Sequence, residues 1–172
     1  MKRSMIDIPS CNECHNTDGI LCGLNDEDKT FISDRKGDNF YKKGQAIFYG
    51  KKTDLKSAKN FLTERVSKND SEIFIAENPE NEVIGFVQLY PVFSSARMKK
   101  FWLLNDLFVH PEFRGNGISI GLIQKAKDLV LESKACGMYL ETEKSNLIGN
   151  ALYPKTGFEL NTSVNFYEWN VQ

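Results

Sequence analysis

Apolar residues recur at helical spacing over residues 53–66. Leu55, Ala58, Phe61, Leu62 and Val66 share one face, and Asp54 stands where a cap is needed. The period then shortens. Residues 72–77 and 83–90 are apolar runs on either side of the turn Asn78-Pro79-Glu80-Asn81, the pattern of a hairpin. Residues 101–109 are apolar enough for a central strand. A glycine turn follows, then a helical pattern to about residue 134 with Ile118, Leu122, Ala126, Leu129 and Val130 on one face. Cys136-Gly137 ends that helix. A strand is expected at 138–142, a short helix at 147–155 closed by Gly157-Phe158, and two last strands at 158–162 and 164–171. Upstream, residues 1–25 read as loop. A short helix is expected over 25–36, with Asn25 as its cap and acids at 26, 27 and 28 in its first turn. Two short strands, 39–41 and 45–49, flank a Lys-Lys-Gly turn. From residue 53 onward this is an α/β unit, a strand meander feeding one βαβ crossover.

Composition narrows the picture. A chain of 172 residues fits one domain with a short appendage. The formal net charge of -1 argues against bulk phosphate-backbone binding, so no nucleic-acid partner is expected. No apolar run reaches the roughly 18 residues of a membrane span, and Met1-Lys2-Arg3 is not followed by the apolar stretch of a secretory signal. No membrane partner is expected, and the cytoplasm is the expected compartment. Three of the four cysteines fall within the first 22 residues. Cys11 and Cys14 have the spacing of a zinc-ligand pair. The second pair is poor, because His15 adjoins Cys14 and Cys136 is remote. Reduced thiols are therefore the favoured reading, with Cys22 among them and no metal site.

Arg114-Gly115-Asn116-Gly117 lies between the strongest strand and the strongest helix. Glycines there let the backbone turn tightly, and a helix start offers N–H groups and positive potential to an anion. A plain glycine turn is the competing reading. A P-loop needs Gly-Lys-Ser/Thr, which Ile118-Ser119 does not supply. A dinucleotide fingerprint needs a small residue at position 120, which is Ile. A coenzyme A pyrophosphate loop is left.

Arg114-x-x-Gly117-x-Ser119 resembles the Arg/Gln-x-x-Gly-x-Gly/Ala acyl-CoA motif of the GNAT superfamily of N-acetyltransferases, with Ser119 as the departure. Residues 104–109 resemble that fold's fourth strand. Asn146, followed by Leu152-Tyr153-Pro154-Lys155-Thr156-Gly157-Phe158, resembles its later motif; Pro154 departs from the usual helix former. Residues 89–95 also resemble a subgroup of the family. The resemblance covers about residues 48–172. It implies a mixed, mostly antiparallel sheet flanked by helices, with splayed central strands. It implies acetyl-CoA as co-substrate, with Leu107, Phe108 and Val109 on pantetheine. The N–H groups of Gly115, Asn116, Gly117, Ile118 and Ser119 would hold the pyrophosphate beside Arg114, and Asn146 would contact the coenzyme. Tyr153 is the implied general acid for the leaving thiolate, and Asp106 is a candidate base, with Glu141 a weaker one. The acceptor would be an amine of a small molecule or protein, and a homodimer is among the expected assemblies.

Residues 1–49 resemble instead the start of Crp/Fnr-type transcriptional regulators, through Cys11-x2-Cys14-x7-Cys22 and the segment 40–48. The resemblance implies a fusion in which a regulator-like segment (1–49) precedes an acetyltransferase domain (50–172). The first strand and helix of the acetyltransferase fold would be missing or replaced, with 39–41 or 45–49 as substitute strands. The alternative function is a redox- or metal-responsive fragment fused to a non-catalytic CoA-binding domain.

Overall fold

A computed structural model describes residues 31–33 and 55–171. The chain divides after Glu141 into two compact units. The first holds a five-stranded sheet and two helices. In chain order its strands are β1 (Phe31–Ser33), β2 (Glu72–Glu77), β3 (Val83–Ser94), β4 (Lys99–Val109) and β5 (Met138–Tyr139), and they lie side by side in that order. Helix α1 (Leu55–Lys68) precedes β2, and α2 (Ile118–Glu132) links β4 to β5. Pairing is antiparallel except between β4 and β5, which run parallel as the crossover requires. The fold is thus the expected mixed α/β sheet with helices on its faces.

Each face of the sheet is buried for a visible reason. Leu62 of α1 is fully buried and joins Ile73, Ile75, Phe86 and Phe108 in one core cluster. On the opposite face, α2 presents the buried Ile118, Leu122, Ile123 and Ala126. Strand β3 alternates between the two. Phe86 faces α1, whereas a Cβ added at Gly85 would meet Ile118 and Leu122 of α2 at 3.4 Å.

Strand β4 does not alternate simply. Gln88 pairs with Asp106, but Leu89 pairs with Leu104, so Asn105 is an extra residue, a β-bulge. Before the bulge, Trp102 donates from Nε1 to Ser133 Oγ (2.8 Å), the residue that caps the end of α2. After it, Phe108 stacks on Phe86 on the α1 face, with ring centroids 5.8 Å apart. One inserted residue has moved the even-numbered positions of β4 from the α2 face to the α1 face.

Several expectations are corrected. Residues 31–33 form a strand, not part of a helix over 25–36: Phe31–Ser33 pairs with Ile75–Glu77 at the edge of β2. An aromatic and a β-branched residue beside an open strand edge outweigh the local capping signals. The expected strands at 39–41 and 45–49 lie outside the described residues, as do Cys11, Cys14, His15 and Cys22. The hairpin strands β3 and β4 are longer than expected, and β5 shorter. In the second unit, residues 142–171, the expected helix forms as α3 (Leu147–Lys155). The expected strands at 158–162 and 164–171 do not form. A strand needs a ladder partner, and this unit contains none among the described residues; Phe166, Tyr167 and Trp169 stay exposed.

Gly85 is held to glycine by close packing, since its Cβ would lie 2.9 Å from the Phe108 carbonyl oxygen. Gly85→Ala should destabilise the protein by about 1–3 kcal/mol through overpacking. A melting temperature equal to that of the wild type would show that β3 and β4 can separate to admit the methyl group.

Candidate active site

The candidate site begins where β4 ends. Val109 and Phe108 are buried, and Leu107 is half-buried. His110 donates its N–H to the Ile84 carbonyl (2.8 Å), and Pro111–Phe113 makes one tight 3-10 turn. Arg114 then reaches back, its Nε donating to the Val109 carbonyl at 3.0 Å. That bond ties the loop to the last residue of β4 and holds a guanidinium beside the start of α2. Gly115 and Gly117 have φ of +84° and +74°, a region costly for residues with a Cβ. Neither is crowded, because a Cβ at either would meet nothing within 4 Å. Conformation, not space, requires glycine here.

Gly117 is the N-cap of α2 and no side chain caps the helix. The first helical bond runs from the Gly121 N–H to the Gly117 carbonyl (3.0 Å). The earlier N–H groups of the first turn lie beyond the reach of intrahelical bonding and carry the positive end of the helix dipole. Arg114, Gly115, Asn116 and Gly117 are exposed, Ser119 is half-buried, and Ile118 is buried as an anchor on the sheet. The loop is therefore shaped to present N–H groups and a cation to an anionic ligand.

Beside it the sheet opens. The β4–β5 ladder has two pairs, Trp102 with Met138 and Leu103 with Tyr139. From Leu104 to Val109, β4 has no ladder partner on its β5 side among the described residues.

Asp106 lies on the α1 face just past the bulge, and only 7% of it is exposed. Asn105 donates from Nδ2 to its Oδ2 at 2.9 Å. Gln88, opposite in the ladder, donates from Nε2 to the buried Ser71 hydroxyl (3.2 Å). Tyr90, two residues along β3, is half-buried; burial, then the Asp106 charge, pushes its phenol above the ordinary tyrosine range. Tyr90, Gln88, Ser71 and the Arg65–Asp70 ion pair (2.7 Å) were not foreseen from the pattern. The one available signal was Gln88, a polar residue in the middle of an apolar run. Glu141, the weaker base candidate, is exposed at the end of the first unit.

The second unit carries the remaining candidates. Asn146 caps α3: its Oδ1 accepts from the Gly149 N–H at 3.0 Å, and its Nδ2 donates to Thr142 Oγ1 at 2.9 Å. Gly149 is required beneath it, since a Cβ there would lie 2.5 Å from Asn146 Nδ2. Tyr153 is half-buried, packs edge-on against Phe158 (5.8 Å), and burial raises its pKa. Pro154 falls in the last turn of α3, where the Thr156 and Gly157 N–H groups close the helix end onto Leu152, Tyr153 and Pro154 carbonyls. Structure thus gathers Leu107, Phe108, Val109 and Arg114 to Ser119 around one strand end and helix start, while Asn146 and Tyr153 share a separate helix.

A parallel crossover with a glycine loop at the helix start places the chain among mixed α/β folds, and the sequence relatives specify which. The chain belongs to the acetyltransferase (GNAT) family, whose model matches residues 38–158. It is 42% identical over 124 residues to the uncharacterized N-acetyltransferase YhfO of Bacillus subtilis (strain 168), covering 72% of this chain and 83% of the relative. A probable acetyltransferase of Haemophilus influenzae is 32% identical over 120 residues, covering 70% and 80%. A crystal structure of a probable acetyltransferase superposes with a TM-score of 0.69 at 32% identity, covering 74% of this chain and 85% of that one. The aminoglycoside N-acetyltransferase AAC(6')-Iy in complex with CoA shares the fold, with a TM-score of 0.70 at 19% identity, covering 84% and 97%. No helix among the described residues is long and apolar enough to cross a membrane.

Asn146→Ala should lower stability by about 1 kcal/mol through loss of the α3 cap. The measurement is a denaturant titration; an unchanged midpoint would mean that the cap contributes nothing net.

Proposed function

We propose that this acetyltransferase moves an acetyl group from acetyl-CoA to an amine of a small molecule or protein, by direct attack in a ternary complex. The observation that carries the reading is the glycine loop Arg114–Ser119 feeding the start of α2, which no side chain caps, at the end of a strand whose ladder with β5 stops at Leu103. In this reading Leu107, Phe108 and Val109 receive the pantetheine arm along that strand. The N–H groups of Gly115, Asn116, Gly117, Ile118 and Ser119 take the pyrophosphate, with Arg114 adding charge. Asn146 contacts the coenzyme. The amine nitrogen attacks the thioester carbonyl, the C–S bond breaks, and the amine gives up a proton to Asp106. Tyr153 protonates the departing thiolate. Its raised pKa keeps the phenol protonated at neutral pH, as an acid requires.

A structural neighbour, AAC(6')-Iy, is described in complex with a bisubstrate analog, CoA-S-monomethyl-acetylneamine. It supports a small amine as acceptor and a ternary arrangement. The N-acetyltransferase relatives speak against a non-catalytic CoA-binding role. The regulator-like residues 1–49 are then an appended segment before a domain at 50–172, and part of it, Phe31–Ser33, has been recruited as the edge strand of the sheet.

Acetyl-CoA should raise the melting temperature, and a panel of primary amines should release free thiol from it. Neither a thermal shift nor thiol release would sink the assignment. Tyr153→Phe should lower kcat by about 10²-fold with little change in acetyl-CoA affinity. In the wild type, the loss of activity at high pH should begin above the ordinary tyrosine value of roughly 10, because burial favours the neutral phenol. A Tyr153→Phe enzyme with an unaltered rate would remove Tyr153 as the acid.

A further inference from the structure

The bulge in β4 brings two neighbouring polar side chains together. In a regular strand residues 105 and 106 would point to opposite faces. Here Asp106 pairs with Gln88, Asn105 has no partner in the β3 ladder, and Asn105 Nδ2 donates to Asp106 Oδ2 at 2.9 Å. The pair is graded in depth, for Asp106 is buried and Asn105 is exposed. A carboxylate only accepts hydrogen bonds, so the nitrogen of the Asn105 carboxamide must face Asp106 and its oxygen must face away. No described residue donates to that oxygen. The carboxamide is therefore held in one orientation by its nitrogen, with a spare acceptor on an exposed residue beside a carboxylate.

We propose that Asn105 is a specificity-determining residue for the acceptor: its Oδ1 accepts an N–H of a primary ammonium group, with the Asp106 carboxylate behind it. This rests on the acetyltransferase reading above. Asp106 alone is a poor first contact for a cation, because an ammonium would have to shed its water to reach a side chain only 7% exposed. The exposed carboxamide oxygen beside it carries no such cost. The place along β4 also fits. Asn105 lies in the stretch that has no ladder partner on its β5 side among the described residues. It stands two residues before Leu107, a strand separation of roughly 7 Å, so an amine held there lies close to the segment assigned to the pantetheine arm. The chemistry of the pair selects the class of acceptor. A primary ammonium has N–H donors enough to give one to Asn105 and keep another for Asp106, the base of the reaction. A tertiary ammonium has a single N–H and must forgo one of the two. An alcohol has a single donor and no charge to complement Asp106. The carboxamide thus has two tasks, orienting Asp106 through Nδ2 and selecting a primary amine through Oδ1.

The test uses the full chain and a panel of primary amines that includes ethanolamine, benzylamine and glycinamide. The amine giving the fastest thiol release from acetyl-CoA is carried forward together with its N,N-dimethyl analogue. Binding of each is measured by calorimetry to the complex with coenzyme A, in which no transfer can occur. In the wild type the primary amine should bind at least about tenfold more tightly than the analogue, the loss expected for one hydrogen bond to a charged group. Asn105→Ala should weaken the primary amine by about tenfold or more and narrow the gap to within about threefold, with coenzyme A affinity within about twofold of the wild type. A carboxamide with only a structural role would not move the gap, because bulk alone separates the two ligands equally with or without Asn105. An Asn105→Ala chain that keeps the wild-type gap would therefore overturn the assignment while leaving acetyl transfer intact. If that variant fails to fold, the wild type decides: equal affinity for the primary amine and its analogue would overturn the assignment. A wild-type chain that neither binds nor turns over acetyl-CoA would overturn the acetyltransferase reading and the role of Asn105 with it.

Discussion

The single extra residue in β4 governs much of the first unit. Were Asn105 a regular ladder residue opposite Gln88, strict alternation would put Asp106 opposite Val87, on the apolar face covered by α2. A carboxylate there would lack partners and be strongly disfavoured. With the bulge, Trp102 and Leu104 still serve the α2 face, and Phe108 completes the core beneath α1. Asp106 reaches a polar neighbourhood of Gln88, Asn105 and Tyr90. The ladder between β4 and β5 stops at Leu103, two residues before the bulge.

The loop after β4 solves a different problem. An exposed helix start must be held firmly if its N–H groups are to keep one geometry. Ile118, the first residue of α2, is buried against the sheet and anchors the helix. Arg114 fastens the loop to the Val109 carbonyl from the other side. Between these two fixed points, Gly115 and Gly117 take left-handed conformations with open space around them. The same arginine that braces the backbone also places a positive charge beside the start of α2.

Legibility from sequence varied by element for physical reasons. Glu72–Glu77 and Leu147–Lys155 were readable to the residue, because a proline-containing turn bounds the first and Asn146 and Gly157 bound the second. The loop Arg114–Ser119 was readable because glycine, charge and a helix start are local signals. Asp106 and Tyr153 were legible as candidates, but their surroundings were not. Arg65, Ser71, Gln88 and Tyr90 come from three segments and meet only when the sheet and α1 assemble. Phe31–Ser33 was misread because its local sequence carries helix-start signals, whereas its conformation is decided by the edge of β2, more than 40 residues away. The segments after Phe158 were misread in the opposite sense. Their alternating apolar residues have strand propensity, but no ladder partner within their own unit satisfies it.

By itself, then, the sequence determined the order of helices and strands from α1 to α3 and the glycine loop between β4 and α2. These depend on periodicity, turn chemistry and backbone freedom, all short-range properties. Tertiary structure decided which face Asp106 occupies, where β4 and β5 part, and which residues close the sheet edge. Those outcomes depend on register, and register is set by pairing between strands distant in the chain. A one-residue slip changes no composition and little local propensity, yet it exchanges the two faces of a strand.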